Sequence, residues 1–217
     1  MTNPAPTARL LITTGCAHCA AMIEGLARLV KGGRLAALEI VNLSAAPPAE
    51  RHAAVRSVPL LEIGPFRLEG ALPPGELADW VEAVADGRGW PAYYAHLLEH
   101  QRLGEVVGRV RQQRSCLVEL LGLLTSEDTS MTTRIGIGAV MEELAGSAEL
   151  RAVAPELIQL TLADAPQTRA DACHYLGLSG AASAVPAVAR LLNDEQQDVR
   201  EIAAETLAML GADDRRA

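Results

Sequence analysis

The residues best suited to covalent chemistry in this chain are two cysteines separated by two positions, in Gly15-Cys16-Ala17-His18-Cys19. A thiolate is the nucleophile of thiol–disulfide exchange and also a ligand for soft metals, and a close C-x-x-C pair serves either use. An apolar run precedes the motif and a helical pattern follows it, which sets the pair at a helix N-terminus. There the unpaired N–H groups and the helix dipole stabilise a negative sulfur. Cys16 is therefore the expected nucleophile, and Cys19, one turn in, the resolving thiol. Exchange requires this asymmetry, with one activated sulfur to attack and a second to release the mixed disulfide. A protonated His18 would stabilise the Cys16 thiolate further and tilt the pair toward the oxidising side, as an acceptor of electrons. The alternative, a copper or zinc site on Cys16 and Cys19, stays open on these residues alone. Cys116 and Cys173 fall in apolar helical patterns far along the chain. They are expected to be small buried hydrophobes, and a four-cysteine zinc site is not expected.

The elements that must position the motif alternate between strand and helix. Ala8–Thr13 is a short apolar run suited to a buried strand, and 17–31 carries Met22, Ile23, Leu26, Leu29 and Val30 at helical spacing. Gly32-Gly33 ends that helix. Leu35–Leu43 reads as a second buried strand, and Pro47–Val55 as a short helix opened by prolines. Leu60–Ile63 and Phe66–Glu69 read as a hairpin turning at Gly64-Pro65. Gly75–Ala85 closes the series as an amphipathic helix. The predicted order is βαβαββα, with a right-handed first crossover that makes the first two strands parallel.

With this order in hand, residues 8–86 resemble the thioredoxin and glutaredoxin superfamily. The resemblance rests on strand–CxxC–helix, on Arg56-Ser57-Val58-Pro59-Leu60, and on Glu69-Gly-Ala-Leu72 with Gly75-Glu-Leu77. It implies an α/β thioredoxin-like fold in which Pro59 is a cis-proline facing the dithiol. That proline would block metal access and present the preceding backbone, Ser57 and Val58, to a bound peptide. The histidine in Cys16-Ala-His-Cys19 resembles the arrangement in periplasmic disulfide oxidants. Ala17-His18 stands where ordinary thioredoxins have Gly-Pro. The residues by which glutaredoxins hold glutathione are missing, and the resemblance implies no cofactor. The segment Gly15–Glu24 also resembles the start of a heavy-metal-associated domain, which holds copper(I) between two cysteines, but that fold lacks a helix after its second strand.

Beyond Gly87-Arg-Gly-Trp90 only helical patterns occur, and they repeat. Pro155 and Pro186 are separated by the same interval as Arg169 and Arg200, Ala172 and Ala203, and Leu176 and Leu207. A looser unit, Leu117–Leu124 followed by Arg134 through Leu144, precedes them. Each unit is two helices joined by a polar turn. Over roughly residues 115–211 the pattern resembles HEAT-type repeats, also seen in bilin-lyase-like proteins, and implies an all-α HEAT-like solenoid that binds a protein partner. The expected division is a thioredoxin-like domain at 1–86, a linker with capping helices at 87–114, and HEAT-like helical repeats at 115–217.

Composition limits the remaining possibilities. The chain of 217 residues carries a net charge of −8, and without a Lys/Arg cluster it has no electrostatic basis for binding nucleic acid. No stretch reaches the roughly 18 apolar residues of a membrane span, and the first residues lack the basic and apolar regions of a signal peptide. A cytoplasmic location and no membrane partner are expected. His96 and His100, four apart on a helix, are expected on a solvated or half-buried face. Trp80, Trp90, Tyr93 and Tyr94 are expected to serve packing at the domain junction. The function expected overall is thiol–disulfide exchange on a protein partner, a thiol or disulfide substrate recruited by the repeats. A non-catalytic redox-sensing adaptor and a soft-metal binder are the alternatives.

Overall fold

The computed structural model describes residues 4–46 and 55–213. The chain divides between Gly89 and Trp90 into two units.

The N-terminal unit is built on a small mixed sheet of four strands. Its elements are β1 (Thr7–Ile12), α1 (Cys19–Lys31), β2 (Ala37–Asn42), β3 (Leu60–Ile63), β4 (Phe66–Glu69) and α2 (Pro74–Ala85). The strand order is β2-β1-β3-β4, with β1 parallel to β2 and the other two pairs antiparallel. The parallel first pair is the expected one. The short helix predicted over Pro47–Val55 lies, but for Val55, outside the described residues.

Alternation along the strands divides the sheet into two faces. Ala8 and Leu10 of β1 share one face with Leu61, Ile63, Phe66 and Leu68, all buried. The helices α1 and α2 pack together over this face. Phe66 meets Trp80 of α2 with ring centroids 5.5 Å apart. Gly25 permits the close approach of the helices, because a Cβ there would stand 2.9 Å from Leu77 Cδ1. On the opposite face Leu11, Val41, Ala46 and Leu60 form a second apolar cluster against which Leu43 and Val55 pack. Further along that face the strands carry ion pairs instead: Arg9 with Glu39 at 3.1 Å and Arg67 with Glu62 at 3.2 Å.

The sequence reading of β2 as a buried strand is corrected. β2 is an edge strand, Val41 is its one buried residue, and Ile40 is 44% exposed. An apolar run reports hydrophobicity but not position in the sheet, and an edge strand has a neighbour on one side only.

The C-terminal unit is helical throughout its described residues. It comprises α3 (Trp90–Glu99), α4 (Leu103–Gln112), α5 (Ser115–Leu123), α6 (Met131–Glu143), α7 (Ala148–Ala152), α8 (Ala154–Leu160), α9 (Pro166–Ser179), α10 (Val185–Leu191) and α11 (Gln197–Asp213). The pairs α8–α9 and α10–α11 carry the repeat seen in the sequence, each first helix holding its proline within the first two positions. Proline is tolerated there because that N–H has no intrahelical acceptor. The second helices stack, α6 on α9 and α9 on α11. The aromatics expected at the junction pack within both units: Trp80 on Phe66 in the first, and Trp90 stacked on Tyr94 at 5.9 Å in the second, with the Arg109 guanidinium 3.4 Å from the Trp90 ring centre.

One arginine per unit ties the repeats together. Arg169 donates to the carbonyls of Ala163 (2.9 Å) and Asp164 (2.8 Å), in the turn before its own helix. Arg200 does the same for Asp194 (2.7 Å) and Glu195 (3.1 Å), and Arg134 donates to Leu124 O at 2.6 Å. Two of the three also reach the next unit. Arg134 meets Asp171 at 3.1 Å, and Arg169 grips Asp194 with two bonds of 2.7 and 2.8 Å. The hydrogen bonds from Arg169 hold the Asp194 carboxyl below the usual carboxylate range.

This pair yields a stability prediction. A carboxylate whose pKa is lowered by folding contributes stability above its unfolded pKa and loses it as the pH falls through the folded value. Arg169→Ala strands a buried carboxylate and is expected to destabilise the helical unit by about 3 kcal/mol at neutral pH. The gap in urea midpoint between wild type and variant should narrow from neutral pH down through the carboxylate range, leaving in acid the part due to the lost bonds to the Ala163 and Asp164 carbonyls. Curves that stay parallel throughout would show that the ion pair is not the source of the loss.

Candidate functional site

The parallel strands β1 and β2 end on the same side of the sheet, and the chain leaves β1 there into the loop 13–18. Gly15 holds φ at +83°, a conformation that costs a glycine little and a side-chain-bearing residue considerably more. The loop then closes a turn with Cys16 N–H donating to Thr13 O at 3.3 Å, and Cys19 N–H reaches Cys16 O at 3.4 Å. The helix begins at Cys19, two positions later than the spacing predicted, with His18 at the capping position. Cys16 therefore precedes the first helical turn, and Cys19 occupies it.

Cys16 and Cys19 are joined in a disulfide, with their Cα atoms 5.5 Å apart. The two sulfurs sit in different surroundings. Cys16 is half-buried and flanked by the exposed Ala17 and His18. Cys19 is buried among the side chains under α1, with Met22 and Leu26. A reagent from solvent would thus meet Cys16 first.

The loop is tied to the end of β2. Thr14 N–H donates to Ser44 Oγ at 3.1 Å, and Asn42 Nδ2 donates to Thr14 Oγ1 at 3.1 Å. Ser44 N–H in turn donates to Asn42 Oδ1 at 3.0 Å. The sequence reading missed these three residues. The signal was present in the polar residues that follow each of the two apolar strands, but which of them would meet depends on the β1–β2 register.

Pro59 enters the same region from the other side of β1. Leu60 pairs with Leu11, so Pro59, one residue earlier, lies alongside the C-terminal end of β1 from which the cysteine loop departs. It is buried, and the Val58–Pro59 peptide bond is cis. Its carbonyl accepts from Gly70 N–H at 3.0 Å, and Ser57 Oγ donates to Glu69 Oε2 at 3.2 Å. Val58 is half-buried and Ser57 exposed. The topology thus brings the cysteine loop and the Ser57-Val58-Pro59 segment to one end of the sheet.

The other cysteines and the histidine pair are built differently. Cys116 and Cys173 are free thiols, 2% and 0% exposed, and burial pushes the Cys173 thiol up. The rings of His96 and His100 lie 4.1 Å apart, and His100 Nδ1 is 2.8 Å from His96 O. Burial, with the His100 ring beside it, lowers His96 to about 4. His96 is consequently a neutral core residue at physiological pH. Among the described residues no three His, Cys, Asp or Glu side chains gather as a metal cluster, and no helix is long and apolar enough to cross a membrane.

The last part of the helical unit has a counterpart among known families. A family model described as HEAT repeats matches residues 154–217, the stretch that begins at α8 and contains α9, α10 and α11. Repeats of this kind present extended surfaces to protein partners. No curated protein matches the chain.

The different surroundings of the four cysteines make a chemical prediction. After mild reduction, a brief iodoacetamide pulse at slightly acidic pH should label Cys16 first, with Cys19 slower and Cys116 and Cys173 protected until the chain is denatured. Peptide mass mapping reads the order. Labelling of Cys116 or Cys173 at the rate of Cys16 would refute the assignment of roles.

Proposed function

We propose that the N-terminal unit is a thioredoxin-like redox domain that exchanges thiols and disulfides with a protein partner, and that the HEAT-like repeats recruit that partner. The observation that carries the reading is the Cys16–Cys19 disulfide, half-buried at Cys16 and buried at Cys19, at the sheet end shared with Pro59. The βα start, the parallel β1–β2 pair and the antiparallel β3–β4 hairpin are consistent with a thioredoxin-like order. The match of residues 154–217 to HEAT repeats supports the recruiting role.

The exchange balances in the oxidised form as follows. A partner thiolate attacks Cys16 Sγ, the Cys16–Cys19 bond breaks, and Cys19 leaves as a thiolate that takes up a proton. A second partner thiolate then attacks the partner sulfur of the mixed disulfide and releases Cys16. Two electrons have passed from the partner to the dithiol, and the partner carries the new disulfide. The reverse sequence starts with Cys16 attacking a partner disulfide and ends with Cys19 displacing the partner thiol. Departure of Cys19 into a buried site favours its rapid return, so the pair stays closed unless a partner sulfur is held close.

The test uses the full chain. Reduced wild type should reduce the disulfides of insulin, Cys16→Ser should lose this activity, and Cys19→Ser should accumulate a mixed disulfide that reductant dissolves. A pair that reductant does not open, with no trapped species in Cys19→Ser, would instead make the domain a redox-silent adaptor. Stoichiometric copper(I) or zinc uptake abolished by either Cys→Ser change would make it a carrier.

A further inference from the structure

A groove of about 340 Å³ runs between α6 and α9 on the stacked second helices. Its α6 wall carries Met131 and Ile135, each 67% exposed, one turn apart on the same side of the helix. Gly138, where a Cβ would stand 3.5 Å from Tyr175 Oη, continues the line, and Glu142 closes it. From Met131 to Glu142 the wall is about 16 Å long at 1.5 Å per residue, or three helical turns. On α9 the groove is lined by Asp171, His174 and the buried ring of Tyr175, and Arg134 of α6 lines it as well, its charge met by Asp171 at 3.1 Å. Such spacing suits the apolar face of an amphipathic helix, whose side chains recur at the same interval.

The charge of this face follows from how the repeats are held together. The arginines of α6, α9 and α11 are Arg134, Arg169 and Arg200, and each is engaged by the carbonyls of a turn, two of them also by a carboxylate. The carboxylates on the flanking helices are differently placed. Glu142 on α6 lines the groove and is exposed, and Asp198, Glu201 and Glu205 on α11 are exposed outside it. The arginines of the second helices are thus engaged within the repeats, and in a chain of net charge −8 the exposed charge beside the apolar stripe is the carboxylate of Glu142.

We infer that the α6–α9 groove docks a cationic amphipathic helix of the partner, its apolar side chains on Met131 and Ile135 and its Lys or Arg residues toward Glu142. The inference rests on the recruiting part of the reading above and on none of its thiol chemistry. A redox-silent dithiol would overturn that chemistry and leave this docking untouched.

The probe is a synthetic fluorescent peptide of about four helical turns, with leucines on one face and lysines on the other, beside a twin with glutamate for lysine. The full chain should bind the leucine–lysine peptide in an anisotropy titration and not the glutamate twin. Ile135→Asp should weaken binding by about tenfold or more, the size of losing one buried aliphatic contact. Glu142→Lys should weaken it by about threefold, an effect that salt diminishes. Leu162→Asp, at an apolar residue 59% exposed outside this groove, should leave it unchanged. Ile135 is an exposed side chain, and circular dichroism confirms that each variant keeps its helices. Absence of binding, equal binding of both peptides, full affinity in Ile135→Asp and Glu142→Lys, or an equal loss in Leu162→Asp would each overturn the inference.

Discussion

The N-terminal unit depends on the hydrogen bonding of β1 along both its edges. Its pairing with β2 runs from Thr7 to Ile12, and its pairing with β3 from Ala8 to Leu11. A slip of one residue on either side would turn every side chain of the slipped strand to the other face. Leu10 and Leu11, fully buried on opposite faces, oppose such a slip from both sides. Because the register is set in this way, the chain leaves β1 at Thr13 with Ser44 on one flank and Pro59 on the other. The relative placement of Cys16, Thr14 and Pro59 follows from a core of leucines, not from any direct attraction among them.

The C-terminal unit solves a related problem by polar means. Its helices offer apolar faces that leave little choice of neighbour, but the turns between them expose carbonyls at every repeat. An arginine on each second helix satisfies those carbonyls, and in two cases reaches a carboxylate of the following repeat. The arrangement sets the spacing of the repeats, since a guanidinium fork must meet both partners at once. It also keeps these arginines engaged within the repeats.

Much of this was legible in the sequence where the physical signal is local. The hairpin at Leu60–Ile63 and Phe66–Glu69 lies where the turn residues put it, and α1, α2 and the two closing repeats were readable from helical spacing and proline placement. The burial of Cys116 and Cys173 was readable from their apolar settings. What depended on tertiary pairing was not legible. The edge position of β2, the Asn42–Thr14–Ser44 bonds and the grip of Arg169 on Asp194 join residues distant in sequence, and periodicity contains no term for them. The start of α1 at Cys19 is a smaller case. Apolar spacing identifies a helix well, but its first residue depends on capping geometry, and His18 supplies no side-chain cap to announce it.

Joining a dithiol to a binding scaffold has a physical consequence under the proposed reading. The thiol site is small: one half-exposed sulfur in a loop, with the short segment 57–59 alongside. Such a site holds a passing partner weakly, since a few contacts at one end of a four-stranded sheet cannot offset the entropy of association. A groove elsewhere on the same chain changes the kinetics without adding a contact to the sulfur. Once the partner's helix is docked, attack on Cys16 becomes an event within one complex for a partner long enough to reach both sites. The selectivity of the exchange then resides in the repeats, and its chemistry in Cys16 and Cys19. The two can vary independently, because the residues that hold the loop in place, Asn42, Ser44 and Leu60, and those that line the groove, Ile135 and Glu142, belong to separate units with separate cores.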